Sequence, residues 1–450
     1  MRSRRAGALV AATALVLLAG CTTDKAPPVD KPTPTTPTTL SFSTYGPPAE
    51  VAVYRRLVEA WNIDHPDEQV TLRTAADRAD QASLVAAGGS VPDVFLLDRL
   101  DLAQVIADDV SQPVGDLLDE PDRDVDFGDG YPIDAVGAFA NDNDLECLPY
   151  GFSPMVMYVN TSLIDFTRMA RRGLDVPTQP GRWSFEQFAE GARFASRPAT
   201  RAAGVQIEPT VEGLAPFIYS GGGDVFDDDT TPTSLAFSEG DSQAALATTL
   251  ELLRNPPSVT LSDQQLAHKS ALDWFKAGKL GMIAGYRSLV PELRATGVTF
   301  DVMQMPSLGD EQTVADITGL CMSKDAPSAD AAADFIYYLA SSESVASVAA
   351  AGYLVPANLE VATSDAFLQP GRQPLTATVF NDAARNIVIP PMLSVYPELE
   401  ESVANDIQRL FSMGVLNLPL VTSQIDTDSQ AVLSPPEPSE SASPSASPSG

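Results

Sequence analysis

The stretch Pro92-Asp93-Val94-Phe95-Leu96-Leu97-Asp98 is an apolar run with an acid near each end. A short run of this kind, rich in branched and aromatic residues, is typical of a buried β-strand. Four elements of alternating type are predicted before it: a strand over 40–44, a helix over 50–62, a strand over 70–73 and a helix over 78–87. This β-α-β-α-β order predicts an α/β fold, with a mainly parallel sheet covered by helices.

The same alternation returns after an acidic loop. Residues 147–160 form a long apolar run that Pro149 and Gly151 interrupt, and Ser184 with Gln187 has the spacing of a helix capping box. Further strands are predicted over 280–284 and 300–303, and helices over 213–219, 244–253, 329–339, 344–351 and 398–411. About 390 residues lie between the two termini, which indicates two domains or lobes.

The N-terminus has the anatomy of a secretory signal peptide. Three arginines precede an apolar stretch over 6–18, which is shorter than the ~20 residues of a membrane-spanning helix. The stretch ends in Leu18-Ala19-Gly20-Cys21, which resembles the lipobox of bacterial lipoproteins. The resemblance implies a signal peptide over 1–20, cleavage before Cys21 and a lipid on its sulfur. We therefore expect a lipid-anchored protein on the extracytoplasmic side of the cell membrane.

Two segments lack the apolar residues that folding requires. Residues 21–39 are rich in proline and threonine, which predicts an extended tether that carries the lipidated Cys21. Residues 421–450 end in a run of serine, proline and alanine, and we predict a disordered tail there.

Charge and cysteine content narrow the possible partners. The formal net charge of −32 argues against nucleic acid as a partner of the folded part. If Cys21 is lipidated, Cys147 and Cys321 remain as a pair outside the cytoplasm, where a disulfide can form. Two buried free thiols are the alternative that the residues leave open.

A larger set of short motifs occurs in a characteristic order. The motifs are Pro92-Asp93-Val94, Leu148-Pro149-Tyr150-Gly151, Met157-Tyr158-Val159-Asn160, Trp183-Ser184-Phe185-Glu186-Gln187-Phe188, Ser220-Gly221-Gly222-Gly223-Asp224, Phe275-Lys276-Ala277-Gly278-Lys279, Met305-Pro306 and Gly352-Tyr353-Leu354-Val355-Pro356-Ala357. In this order they resemble the extracellular solute-binding lipoproteins of ABC importers, in the maltose- and oligosaccharide-binding branch. The resemblance runs from about residue 40 to about residue 414.

This resemblance implies a two-lobe fold like that of periplasmic binding proteins, with hinge strands and a central ligand cleft. Lobe 1 would comprise 40–148 plus 306–350, and lobe 2 would comprise 150–304 plus 354–420. The chain would cross between the lobes near Pro149, Pro306 and Gly352. Cys147 and Cys321 would then both lie in lobe 1 near the hinge, which favours a disulfide between them.

Ligands of α/β sheets bind beyond the carboxyl ends of the strands, and two such edges would face each other across the cleft. Aromatic rings suit the apolar faces of sugars, and carboxylates, hydroxyls and guanidinium groups suit their hydroxyls. The predicted ligand-binding residues are Tyr45, Asp98, Phe152, Ser153, Gly223, Asp224, Tyr286, Arg287 and Thr318.

Several of these residues have a structural alternative. Tyr45 would pack a turn, Asp98 would cap the next helix, and Gly223 would only help to end a helix. Tyr286 and Thr318 stand where many family members have other aromatic residues, which favours a smaller or more polar solute.

The expected function is therefore a monomeric receptor that binds a small solute, with a sugar or oligosaccharide favoured, and delivers it to the permease subunits of an ABC transporter. We expect no catalysis, cofactor or metal. Asp122, Asp124 and Asp126 have calcium-loop spacing, but Phe127 occupies the position of the required glycine. An exported carbohydrate-active hydrolase with paired carboxylates and a non-transport lipoprotein of the same fold remain the alternatives.

Overall fold

The computed structural model describes residues 37–435, apart from positions 87, 121, 122, 124, 143, 257 and 413. The predicted signal peptide, Cys21, most of the tether and the end of the tail lie outside the described residues. So do Asp122 and Asp124 of the calcium-loop pattern.

The strands, in chain order, are β1 Thr38–Tyr45, β2 Glu68–Ala75, β3 Val94–Asp98, β4 Ser111–Gln112, β5 Ala140–Asn141, β6 Asp144–Leu145, β7 Cys147–Pro154, β8 Val156–Asn160, β9 Ala203–Gln206, β10 Leu280–Gly285, β11 Phe300–Met303 and β12 Ala315–Ser323.

The α-helices are α1 Pro48–Asp64, α2 Arg78–Val85, α3 Arg99–Ala107, α4 Gly115–Leu118, α5 Ile133–Ala138, α6 Phe166–Ala170, α7 Phe185–Ala195, α8 Val211–Ser220, α9 Gly240–Arg254, α10 Asp263–Leu266, α11 Ala271–Lys276, α12 Leu289–Arg294, α13 Ala329–Ala340, α14 Ser342–Ala351, α15 Leu359–Ala362, α16 Asp365–Leu368, α17 Thr378–Ala383, α18 Tyr396–Ser412 and α19 Leu418–Leu433. Short 3-10 turns occupy Pro198–Thr200 and Ala384–Asn386. Within the described part of the chain, no helix is both long and apolar enough to cross a membrane.

The first sheet contains six strands in the order β2-β1-β3-β12-β4, with β7 also paired to β12. β1 is parallel to β2 and β3, whereas β12 runs antiparallel to β3, β4 and β7. The stretch that opened the sequence analysis is β3, and all five of its residues are buried. The predicted β-α-β-α-β order and the α/β fold class are confirmed. The prediction of a mainly parallel sheet was wrong, because β12 joins from a distant part of the chain and runs antiparallel to its three neighbours.

The second sheet has the order β11-β8-β10-β9 and is mixed. α7 begins with the predicted capping box, in which Ser184 and Gln187 bond to each other's backbone N–H groups. Phe188 of α7 and Phe217 of α8 pack beside this sheet in a hydrophobic core to which α18 and α19 also contribute. Each sheet thus has helices to bury its apolar side chains, as an α/β fold requires.

Two segments connect the two sheets. β7 leads through Met155 into β8, and residues 304–314 lead from β11 to β12. A third segment, residues 353–357, lies beside β7. There, the N–H of Phe152 donates to the carbonyl of Val355 at 2.8 Å. The lobe boundaries remain a proposal.

The predicted crossing at Pro149 is earlier than the one in the structure. β7 stays in the first sheet as far as Pro154, and its register with β12 shifts between Thr318 and Gly319, opposite Pro149 and Gly151. An irregularity of this kind accommodates a proline, which has no N–H to donate to a neighbouring strand. The strand therefore continues past Pro149.

Cys147 and Cys321 form a disulfide with an S–S distance of 1.94 Å. The two residues are direct partners in the pairing of β7 with β12, and both are fully buried. The bond therefore joins a strand that leads toward the second sheet to the strand beside it.

Both ends of the folded part extend further than predicted. β1 begins at Thr38, inside the predicted tether, because it pairs with β2 from that residue onward. The predicted tail contains most of α19, whose residues Val421 and Ile425 are completely buried against α18 and α9. The tail boundary at 421 was wrong because two apolar residues four positions apart give even a polar segment one face to bury.

Candidate ligand-binding cleft

A cavity of about 1190 Å³ lies where β1 and β2 end and α1 and α2 begin. The carboxyl ends of parallel strands are the usual position for a ligand in an α/β sheet. Residues from three parts of the chain line the cavity: Tyr45, Glu50, Arg55 and Arg78 from the first sheet and its helices, Ser153, Asp316 and Thr318 from β7 and β12, and Ser288 and Tyr353 from beyond β10 and α14.

Tyr45 lies at the end of β1 and is partly buried. Gly46 follows with a φ of +120°, a conformation that glycine adopts without strain, and it lies close to the carboxylate of Glu50. Burial raises the pKa of the Tyr45 phenol well above its usual value, and the charge of Asp98 raises it further. The turn after β1 thus brings an aromatic ring and a carboxylate to the same wall of the cavity.

Asp98, at the end of β3, serves as the cap of α3. Its Oδ1 accepts a hydrogen bond of 2.8 Å from the N–H of Leu100, which is the helix-capping role given above as the alternative to ligand binding. The side chain is only 9% exposed, and no donor among the described residues reaches its other oxygen. Burial raises the pKa of Asp98, and the charge of Asp316 raises it further.

Glu50 and Asp316 are two partly buried carboxylates in the cavity wall. Burial raises the pKa of Glu50 to about 8, with a further contribution from Asp316. Burial also raises the pKa of Asp316, as does Glu212, whereas Arg78 opposes the rise. In the described part of the chain, neither carboxylate has a hydrogen-bond donor or a cation in contact.

Residues associated with the second sheet approach the same region. Glu212 lies in the first turn of α8 and accepts a hydrogen bond from the hydroxyl of Tyr286, which follows β10. The hydroxyl of Tyr158 donates to the Tyr286 carbonyl at 2.6 Å and positions that segment. The charge of Glu212 raises the pKa of Asp316 on β12. A carboxylate associated with the second sheet therefore acts on a carboxylate of the first.

Arg78, in the first turn of α2, is a cation that acts on both Asp98 and Asp316. It forms an ion pair of 3.0 Å with Asp101. Burial opposes its charge, but Asp98 and Asp101 raise the pKa of its guanidinium above the usual value. Arg78 is therefore already paired within the protein.

Ser153 and Thr318 were predicted site residues, and both line the cavity. The Ser153 hydroxyl accepts a hydrogen bond of 2.9 Å from the N–H of Val355. A Cβ on Gly151 would lie 2.5 Å from Oγ1 of Thr318, so the glycine permits the close approach of β7 and β12.

Six of the nine predicted site residues are not part of the cavity wall: Asp98, described above, Phe152, Gly223, Asp224, Tyr286 and Arg287. Phe152 is 1% exposed and packs in the core, because it points to the opposite side of β7 from Ser153. Gly223 packs against α9, where a Cβ would lie 2.5 Å from the backbone nitrogen of Ser242. Arg287 is completely buried, 4.6 Å from the ring centroid of Phe367.

The remaining two predicted residues differ from each other. Asp224 is exposed, and its backbone N–H and carbonyl both bond to the Ser242 hydroxyl, so it belongs to the turn between α8 and α9. Tyr286 contacts Glu212 beside the cavity, and burial raises the pKa of its phenol.

The sequence analysis missed Glu50, Arg78, Glu212 and Asp316. A signal existed for Glu50 and Arg78, since each lies in the first turn of a helix that follows a predicted strand. β9, which precedes the helix of Glu212, was not predicted. Asp316 precedes Thr318 by two residues and so shares its face of β12. Among the described residues, no group of three or more His, Cys, Asp or Glu side chains has a metal-binding arrangement.

Comparison with known proteins places this geometry in context. Residues 56–371 match the family model described as bacterial extracellular solute-binding protein. An uncharacterized lipoprotein in the oleD 5' region of Streptomyces antibioticus is 25% identical over 433 residues, which cover 93% of this chain and 90% of that protein.

Two solved structures show the likeness in fold. The ABC substrate-binding protein Lmo0181 from Listeria monocytogenes, in complex with cycloalternan, has a TM-score of 0.75 and 18% identity, with 88% of this chain and 99% of that chain covered. The maltotriose-binding protein of Thermus thermophilus, bound with maltotriose, has a TM-score of 0.67 and 15% identity, with 87% and 99% covered. The predicted two-lobe fold class is confirmed.

Proposed function

This chain belongs to the bacterial extracellular solute-binding proteins, and on that premise we propose that its solute is a saccharide held in the cavity at the end of the first sheet. The observation that carries the proposal is the composition of this cavity. The rings of Tyr45 and Tyr353 lie in its wall together with the hydroxyls of Ser153, Ser288 and Thr318. Aromatic rings and convergent polar groups suit the two kinds of surface that a sugar presents.

The size of the cavity favours more than one sugar ring. Pockets for drug-sized ligands have volumes of about 300 to 1,000 Å³, and this cavity has about 1190 Å³. The structurally similar Thermus protein was solved with maltotriose, which supports an oligosaccharide here. The cavity also contains residues attached to both sheets, as a ligand that closes two lobes would require.

The same proposal includes an anchor and a transporter. Lipidation of Cys21 would hold the protein on the outer face of the cell membrane, and the lipoprotein relative from Streptomyces supports this. The protein would act as a monomer and transfer its ligand to the permease subunits of an ABC importer. A receptor of the same fold that serves no transporter is the alternative, and loss of uptake in a deletion strain would separate the two.

Thermal-shift and calorimetric titrations of the full mature protein test the saccharide proposal. We expect a saturable rise in melting temperature with an oligosaccharide, since a ligand that binds only the folded state stabilises it. Tyr45→Ala should weaken that binding about tenfold, whereas Tyr337→Ala, at an exposed tyrosine of α13, should leave it unchanged. Stabilisation by amino acids alone, or hydrolysis of the saccharide, would contradict the proposal.

A further inference from the structure

The ligand cavity carries an excess of negative charge. Glu50, Asp77, Asp80 and Asp316 lie in its wall, and Asp98 lies at the end of the adjacent strand. The wall also contains Arg55 and Arg78. Arg55 is exposed at the surface of α1. Arg78 is paired with Asp101, and although it lowers the pKa of Asp98 and Asp316, both remain raised.

Three of these acids lack the partners that buried carboxylates normally have. No described residue donates a hydrogen bond to Glu50 or Asp316, and Asp98 receives one bond on one of its two oxygens. Asp98 is more than nine-tenths buried, and its charge acts on Tyr45 and Arg78 in the cavity wall. Asp77, in contrast, caps α2 and is therefore used by the fold.

A partly buried carboxylate with no cation beside it is costly to ionise, and a cation that binds there recovers this cost because it favours the ionised form. Sugar hydroxyls could donate hydrogen bonds to these oxygens, but they would not compensate for the charge. An ammonium group would provide both a hydrogen-bond donor and a positive charge. The rings of Tyr45 and Tyr353 line the same cavity, and aromatic faces attract cations.

We infer that the ligand carries a protonated amine, which binds beside Glu50 and Asp316 in the cavity wall, so that the solute is an amino sugar or an oligosaccharide that contains one. This inference rests on the proposed function, because it specifies the class of saccharide that the same cavity binds. It differs from that proposal in requiring a positive charge on the ligand.

Calorimetry with matched ligands tests the inference at pH 7. The probes are the β-1,4 trimer of glucosamine, its N-acetylated form and cellotriose, together with maltotriose as a neutral α-linked sugar. We expect the free amine to bind at least tenfold more tightly than any of the other three. Its affinity should also fall as salt rises from 0.05 to 0.5 M, because the attraction is electrostatic.

The outcomes separate the two proposals. If a neutral or N-acetylated sugar binds as tightly as the amine, the inference is wrong and the saccharide proposal stands. If none of the four saccharides stabilises the protein, both are overturned. Binding of the amine that salt does not weaken would also contradict a role for the carboxylates.

Variants test which residues supply the selectivity. Glu50→Gln and Asp316→Asn keep the size of each side chain, and we expect each to reduce the preference for the amine about tenfold. Glu59→Gln is the matched control, since Glu59 is an exposed acid on the same helix as Glu50. An unchanged ratio of affinities in both cavity variants would overturn the inference, and their melting curves would verify that they fold.

Discussion

Asp98 and Asp316 lie on adjacent antiparallel strands and raise the electrostatic cost of each other's ionisation. Asp98 pairs in register with Thr318, so Asp316 is two residues away on the same face of β12. The charge of Asp316 adds to burial in raising the pKa of Asp98. Without a ligand, the folded protein therefore holds protons on acids that are ionised in the unfolded chain.

The raised pKa values of these acids predict that the folded protein becomes less stable as pH rises. Between about pH 5 and 8 the folded state binds more protons at Glu50, Asp98 and Asp316 than the unfolded state does, so the free energy of unfolding decreases with pH. We expect a decrease on the order of 2 kcal/mol across this interval, measured by urea unfolding of the ligand-free protein.

Substitution at Glu50 should reduce this pH dependence. Glu50→Gln removes a carboxyl whose pKa is raised to about 8, so the variant should be more stable than the natural protein at pH 8. At pH 5 the two proteins should differ little. Glu59→Gln should leave the profile unchanged, and a Glu50 variant with the natural pH profile would show that Glu50 does not contribute.

The disulfide should contribute strongly to stability. Cys147 and Cys321 are separated by 174 positions, and closing so long a loop restricts the unfolded chain. We expect the double variant Cys147→Ala/Cys321→Ala to lose about 3 to 5 kcal/mol of unfolding free energy. Reductant should lower the stability of the natural protein to a similar extent and leave the double variant unaffected. Equal stability of the two proteins without reductant would contradict the prediction.

Gly223 should matter for packing and not for ligand contact. In Gly223→Ala the new Cβ would lie 2.5 Å from the backbone nitrogen of Ser242, which cannot move without shifting α9, so we expect a loss of about 2 kcal/mol or more. Gly222→Ala is the control. A Cβ at Gly222 would meet no neighbouring atom, and only the φ of +81° disfavours alanine there, so we expect a loss of about 1 kcal/mol. If the Gly223 variant has normal stability but no longer binds ligand, Gly223 contacts the ligand after all.

The C-terminal helix α19 should be part of the folded body. Ile425 is completely buried, and its replacement by alanine should cost about 2 to 4 kcal/mol in chemical unfolding. Leu420→Ala, on the same helix at a residue that is 60% exposed, should change stability by about 0.5 kcal/mol or less. If both variants unfold like the natural protein, α19 does not pack as described.

Local sequence patterns predicted the elements of this fold well. The alternation of apolar and polar residues located β1 and β3, and the Ser184–Gln187 pair located the start of α7. These features depend on residues within one or two turns of each other, so they can be recognised without knowledge of the rest of the chain. α19 was missed because its buried face contacts α18 and α9 and is formed by few apolar residues.

The candidate site was predicted only in part. Tyr45, Ser153 and Thr318 line the cavity, as expected for residues at strand ends. Phe152 and Arg287 do not, because proximity to a strand end does not determine which side of the sheet a side chain faces or what packs over it. Arg287 is covered by Phe367, 80 positions away along the chain.

The sequence by itself determined the α/β alternation, the positions of most helices of ten or more residues and the resemblance to solute-binding proteins, since these depend on short-range periodicity and ordered motifs. The tertiary structure alone decided that Glu50 and Asp316 share one cavity wall, with Asp98 on the strand beside Asp316, and that no cation of a described residue contacts Glu50 or Asp316. The ionisation of a carboxyl depends on its solvent exposure and on charges within a few ångströms. Those neighbours come from segments more than 200 residues apart, which only the folded chain brings together.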